Sequence, residues 1–114
     1  MSQRNQLFQT PPYMVDVMLK QLGQNLKIAR KRRRLSIAQV AEKIGTGVRA
    51  ISDAEKGKPS TAISIYMALL WSYDLISDMK DVANPLKDAE GLHLAMQKES
   101  RHGRSLKSEM DNDF

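Results

Sequence analysis

The 114-residue chain contains no cysteine. That removes disulfides, thiolate nucleophiles and every thiolate-bound zinc or iron–sulfur centre together, and it fits a reducing compartment. Histidine is nearly as scarce. His93 and His102 lie in a polar stretch with no cysteine or glutamate at metal-ligand spacing, so neither catalysis nor a metal is expected and no cofactor is implied. No apolar run approaches the roughly 18 residues a membrane span needs, and the opening MSQRNQLFQTPP has no leader-like apolar stretch. A cytoplasmic protein is expected. Glycines 45, 47 and 57 mark turns and helix ends and form neither a P-loop nor a dinucleotide fingerprint. No alternating strand pattern of useful length occurs, and a chain this short buries one modest core, which excludes a multi-domain enzyme.

What the chain does have is positive charge, unevenly spread. The formal net charge is +5 and the pI about 9.6. Residues 1–59 carry 12 basic and four acidic side chains, whereas residues 60–114 carry six and nine. Lys27, Arg30, Lys31, Arg32, Arg33 and Arg34 crowd into one short segment. A solvated helix face normally mixes signs, so this cluster points to contact with a polyanion, the plainer reading being a basic helix end that complements its own dipole.

The pattern of apolar residues predicts an all-α, compact five-helix domain over residues 13–83, with a flexible arm at 1–12 and a partly disordered tail at 84–114. From Tyr13 to about Arg33, Val15, Met18, Leu19, Leu22, Leu26 and Ala29 recur at helical spacing, with Gly23 as a weak point. Ser36 and Gln39 stand in the arrangement of a capping box, Ile37, Val40, Ala41 and Ile44 follow, and Gly45 closes the segment. After Thr46-Gly47 a second short helix runs to Lys56, with Ala50, Ile51 and Ala54 inward and Val48, Arg49, Ser52, Asp53 and Lys56 outward. Two short helices joined by a glycine-containing turn make a helix-turn-helix. Ser60 or Thr61 is expected to cap a fourth helix ending near Ser72, apolar on nearly every side and so buried on more than one, one side by its own core and the other by a second copy. A fifth spans about Leu75 to Val82. A helix around Asp88–Lys98 is opposed by Gly91, and disorder is expected beyond residue 98.

The segment Leu35–Gly57, LSIAQVAEKIGTGVRAISDAEKG, resembles the helix-turn-helix of the phage-repressor (XRE) family of transcriptional regulators. The resemblance rests on Leu35-Ser36, Ala41, Ile44-Gly45, Ile51-Ser52, and Glu55 followed by Gly57. It implies that Glu55 is half buried and paired with Arg30 on the preceding helix. It also implies that the second helix of the pair lies in the DNA major groove. Arg49 is then the first choice for base readout, through guanine O6 and N7, with Val48 on a thymine methyl and Ser52 as donor or acceptor. Asp53 is unusual on that face; it either accepts from cytosine N4 or pairs with Arg49. Phosphate contacts are expected from Arg32, Arg33, Arg34, Thr46, Lys56 and Lys58, and from the amides near Ser36 and Ile37. Family members often have glutamine where this chain has Ile37, which departs from the usual contact map.

With LGQNLKIARKRRRLS before the motif and ALLWSYDLISDMKDVANPLKDAEGL after it, the chain bears a narrower resemblance, over residues 22–96, to HipB-like antitoxin regulators. It implies an autoregulating repressor paired with a HipA-like kinase toxin. One helix-turn-helix makes a small interface, so specific binding implies a homodimer on a palindromic operator. Leu69, Leu70, Trp71, Tyr73 and Leu75 are the expected dimer contacts, each competing with an ordinary core role. Two other readings stay open: a stand-alone XRE-type regulator without a toxin, and an interaction protein that keeps the fold but not the DNA contacts.

Overall fold

A computed structural model describes residues 3–98, which are helical and contain no strand. Five α-helices follow in order: α1 (Gln3–Gln9), α2 (Tyr13–Arg32), α3 (Ile37–Ile44), α4 (Val48–Glu55) and α5 (Ile63–Ser72). Short 3-10 turns come next at Ile76–Asp81 and Pro85–Lys87, and the chain is helical again over 89–98. It divides into two compact units, one through Ser77 and one from Asp78. The disorder expected beyond residue 98 concerns positions outside the described residues.

The first unit is built around α4, which packs on α2, α3 and α5. Its core comprises Leu26 and Ala29 of α2, Val40 and Ala41 of α3, Ile51 and Ala54 of α4, and Tyr66, Leu69, Leu70 and Tyr73 at α5. Each larger apolar side chain buried here contributes about 1.5–3 kcal/mol. Ala41 and Ala54 keep the helices close, and Ile51 fills the space between them with no exposed surface.

Local sequence sets the helix ends where it is strong. The Ser36 hydroxyl accepts from the Gln39 amide at 3.1 Å, and the Gln39 side chain accepts from the Ser36 amide at 2.8 Å, completing the capping box. Gly45 ends α3 at φ 77°, and Thr46 and Gly45 donate back to the Ala41 and Glu42 carbonyls in a Schellman turn.

Four local expectations change. The arm at 1–12 holds the helix α1, set apart from α2 by Pro11-Pro12. Gly23 does not weaken α2, which runs unbroken through it; a methyl on Gly23 would lie 2.6 Å from the Ala54 carbonyl oxygen, so the missing side chain lets α4 approach. Val15 and Met18 are exposed, because α2 begins a full turn or more before it reaches the core. Neither Ser60 nor Thr61 caps α5, whose N-cap is Ala62 without a side-chain bond. Within the single chain α5 buries one side in the core, and Ile63 and Trp71 on its other side are 66% and 55% exposed.

The second unit is secured locally. Asn84 caps its 3-10 turn by accepting from the Leu86 amide at 3.0 Å, and the Lys87 ammonium lies 3.2 Å from the Asp81 carboxylate. The Asp88 carboxylate accepts from the Gly91 amide at 3.0 Å at the start of the 89–98 helix. That cap offsets the glycine that argued against a helix there.

Candidate nucleic-acid interface

The turn at residues 45–47 sets α3 and α4 against each other so that one side of α4 stays open. Val48, Arg49, Ser52, Asp53, Lys56 and Lys58, together with Ile37 of α3, line a shallow depression of about 460 Å³. Val48, Arg49, Ser52, Asp53 and Lys56 are the outward residues that helical spacing had grouped, and Ile37 and Lys58 join them on one surface. Val48 and Arg49 are exposed, at the N-terminal end of α4, where Gly47 leaves no side chain in the way. Arg49 has no carboxylate partner among the described residues. Its guanidinium is therefore free to grip an external acceptor.

Asp53 is engaged. Its carboxylate lies 3.1 Å from the Lys58 ammonium, and its carbonyl accepts from the Lys58 amide. It does not pair with Arg49. The expectation of an Asp53–Arg49 pair fails because the chain turns back after α4 and brings Lys58 to Asp53, which leaves Arg49 unneutralised.

Behind this surface lies a buried ion pair. Arg30 donates through Nε to Glu55 Oε2 at 2.7 Å, through Nη2 to Glu55 Oε1 at 3.0 Å, and through Nη1 to the Leu35 carbonyl at 2.9 Å. The Arg30 side chain is 10% and the Glu55 side chain 6% exposed. The hydrogen bonds to Glu55 push the Arg30 pKa up against the opposing effect of burial. One guanidinium thus fixes the end of α4 and the α2–α3 connection at once, and α4 is held at a set angle to the rest of the domain.

At the start of α3 only part of the expected donor set is open. The Ser36 amide is consumed by Gln39, and beyond the other end of the helix the Thr46 amide is consumed by the Ala41 carbonyl. The first-turn amides of Ile37 and Ala38 have no intrahelical acceptor, and Ile37 lines the depression itself.

The basic run at the end of α2 is split by the helix. Successive residues turn by about 100°, so the cluster does not form one patch. Arg33 reaches the other way: it donates to the Ala29 carbonyl and to the Tyr73 carbonyl, each at 2.9 Å, with its guanidinium 5.3 Å from the Tyr73 ring centre. Arg32 and Arg33 line a separate depression with Asn25, Ile28, Ala29 and Leu75. Arg34, at φ 54°, forms the left-handed turn into α3. Arg32 and Arg33 are thus removed from the surface carrying Arg49. Lys20, Gln24, Lys27 and Lys31 of α2 instead line a second depression with Ile37, Ser52, Glu55 and Lys56. Their spacing of 20, 24, 27 and 31 was the helical signal that could have separated them from the arginines.

The expected dimer contacts are also redistributed. Leu69, Leu70 and Tyr73 belong to the chain's own core, at 0%, 8% and 1% exposure, so they offer little to a second copy. Trp71 is exposed, with the Lys43 ammonium 5.8 Å from its ring, and Leu75 is half-buried. Among the described residues no group of histidine, aspartate and glutamate side chains could hold a metal ion, and no helix is long and apolar enough to cross a membrane.

Residues 26–71 match the helix-turn-helix family, a span that begins within α2 and ends within α5. No curated protein and no solved structure matches the chain. The family match supports a DNA-binding transcriptional regulator.

Proposed function

We propose, from the helix-turn-helix at residues 26–71, that the chain is a sequence-specific repressor whose α4 enters the DNA major groove. The observation that carries this reading is Arg49, which has no carboxylate partner among the described residues and is exposed at the N-terminal end of α4 beside Val48 and Ser52. Arg49 reads guanine bidentately, Val48 packs on a thymine methyl, and Ser52 bonds to a base edge. Lys56 and the amides of Ile37 and Ala38 hold phosphates. Asp53 acts through Lys58, keeping that side chain against α4, and takes no base of its own.

Half-site recognition by one α4 is small, so the repressor binds a pseudo-palindrome as a homodimer, with recognition helices about one DNA turn apart. Trp71 and Leu75 remain as surface contacts for the second copy. The HipB-like resemblance of residues 22–96 adds an antitoxin role, with a HipA-like kinase as partner and the operon's own upstream DNA as target. The acidic balance of residues 60–114 supports a protein partner on that part of the chain.

A footprint on the DNA upstream of the protein's own gene tests the reading. Two protected half-sites about ten base pairs apart are expected. Arg49→Ala should cost roughly 1–3 kcal/mol and relax preference at one base pair per half-site. A loss spread evenly over all sequences would make Arg49 a phosphate contact instead. A kinase-like gene beside this one supports the antitoxin role, and its absence favours a stand-alone regulator.

A further inference from the structure

We infer that Lys20, Lys27 and Lys31 of α2, continued by Lys56 at the end of α4, form a strip that follows the phosphodiester backbone of duplex DNA beyond the base pairs α4 reads. The inference rests on the DNA-binding reading and extends its contact surface to a helix outside the helix-turn-helix pair.

Three observations carry it. First, the depression lined by these lysines and the one lined by Arg49 share Ile37, Ser52 and Lys56, so the two form one continuous surface. Second, the strip is long. Lys20 and Lys31 are separated by about 16 Å of helix axis, which matches roughly five base-pair steps of 3.4 Å. A small anion would meet one lysine at a time, whereas a backbone meets them in series.

Third, the strip keeps its charge. No carboxylate among the described residues pairs with Lys27, Lys31 or Lys56, and Lys20 has only an exposed bond to Asp16 at 2.9 Å. Glu55, at the floor, would repel a phosphate if its oxygens were free. Both are held by Arg30, so the floor is neutral and the rim is positive. Arg32 and Arg33 line a different depression and are outside the strip.

The test is the salt dependence of binding to a fluorescent mixed-sequence 30-base-pair duplex. Lys27→Ala/Lys31→Ala should lower the slope of log affinity against log salt by about two per bound chain, so the wild type loses roughly ten-fold more affinity than the variant between about 50 and 200 mM salt. Lys27→Arg/Lys31→Arg should restore the slope, and Arg32→Ala should leave it as it was. The single Lys31→Ala, at an exposed position, should lower it by about one should the double variant fold poorly. An unchanged slope in the double variant, or an equal drop with Arg32→Ala, overturns the strip while leaving α4 as the reader. A wild type with no salt-dependent binding overturns the DNA-binding reading beneath it.

Discussion

Arg30 and Glu55 are 25 positions apart in the chain, yet Arg30 holds both of Glu55's carboxylate oxygens while a third nitrogen holds Leu35. Removing one partner leaves a buried charge uncompensated. Glu55→Ala should therefore destabilise the domain by about 3–5 kcal/mol. Replacing both residues with apolar ones of similar size should cost less than the sum of the single changes, as measured by denaturant unfolding. An unchanged melting temperature for Glu55→Ala would rule out a structural role for the pair.

Gly23→Ala sets two effects against each other. Helix propensity alone would favour alanine by about 1 kcal/mol. The new methyl would lie 2.6 Å from the Ala54 carbonyl oxygen and 2.7 Å from that of Glu55, both backbone atoms that cannot yield without moving α4. The clash should win, and thermal unfolding should show a lower midpoint. Gly47→Ala is the contrast, with nothing within 4 Å of the new methyl, and should stay close to wild type.

Arg33→Ala should act on stability and not on DNA. It removes the stacking on Tyr73 and the bond to its carbonyl, for a loss of about 1 kcal/mol at this solvent-exposed position. The salt slope of DNA binding should be that of the wild type. A slope lower by about one would return Arg33 to the interface.

The Tyr73 hydroxyl is buried and has no hydrogen-bond partner among the described residues, and burial pushes its pKa above the ordinary phenol range. Tyr66 is pushed the same way, chiefly by burial, although its hydroxyl donates to the Lys58 carbonyl. The unfolded phenols ionise near about pH 10, before the folded ones. Above that pH the unfolded state binds fewer protons than the native state, so stability is fully present below about pH 10 and falls as pH rises further. Tyr73→Phe should be as stable as wild type or more so at neutral pH, since it removes an unsatisfied hydroxyl. It should also blunt the alkaline decline in melting temperature. A loss above about 1 kcal/mol at neutral pH would mean that the hydroxyl has a partner.

Features set by neighbours along the chain were legible in the sequence. The Ser36–Gln39 box, the Gly45 turn and the outward grouping on α4 each involve residues within a turn or two of each other, where spacing alone decides the outcome. Features set across the chain were less so. Gly23 looked like a defect because its reason for being glycine is the backbone of α4, 31 positions away at Ala54. The basic run looked like a single patch, but one turn of helix sends Arg33 to Tyr73 and Lys31 to the opposite depression. For α5, composition suggested burial on two sides, and could not say which residues face the chain's own core. Leu69, Leu70 and Tyr73 fill the one core available, and Ile63 and Trp71 are left outside it. The Asp53–Lys58 pair depends on the reversal of the chain after Gly57, which spacing on α4 could not reveal.

The contact between α2 and α4 is made in part by bare backbone. At Gly23 the α4 carbonyls come close, and at Gly57 a methyl would lie 2.6 Å from the Leu19 carbonyl oxygen. No layer of side chains lies at these two points to act as a bearing, so α4 has little room to slide or roll on α2. On the proposed reading, the base-reading helix and the lysine-bearing helix travel as one piece, like two edges of a single key. When a DNA site departs from the preferred shape, the adjustment must come from the duplex or from side chains such as Arg49. Mismatched sites should be discriminated by how easily they bend to meet a rigid surface.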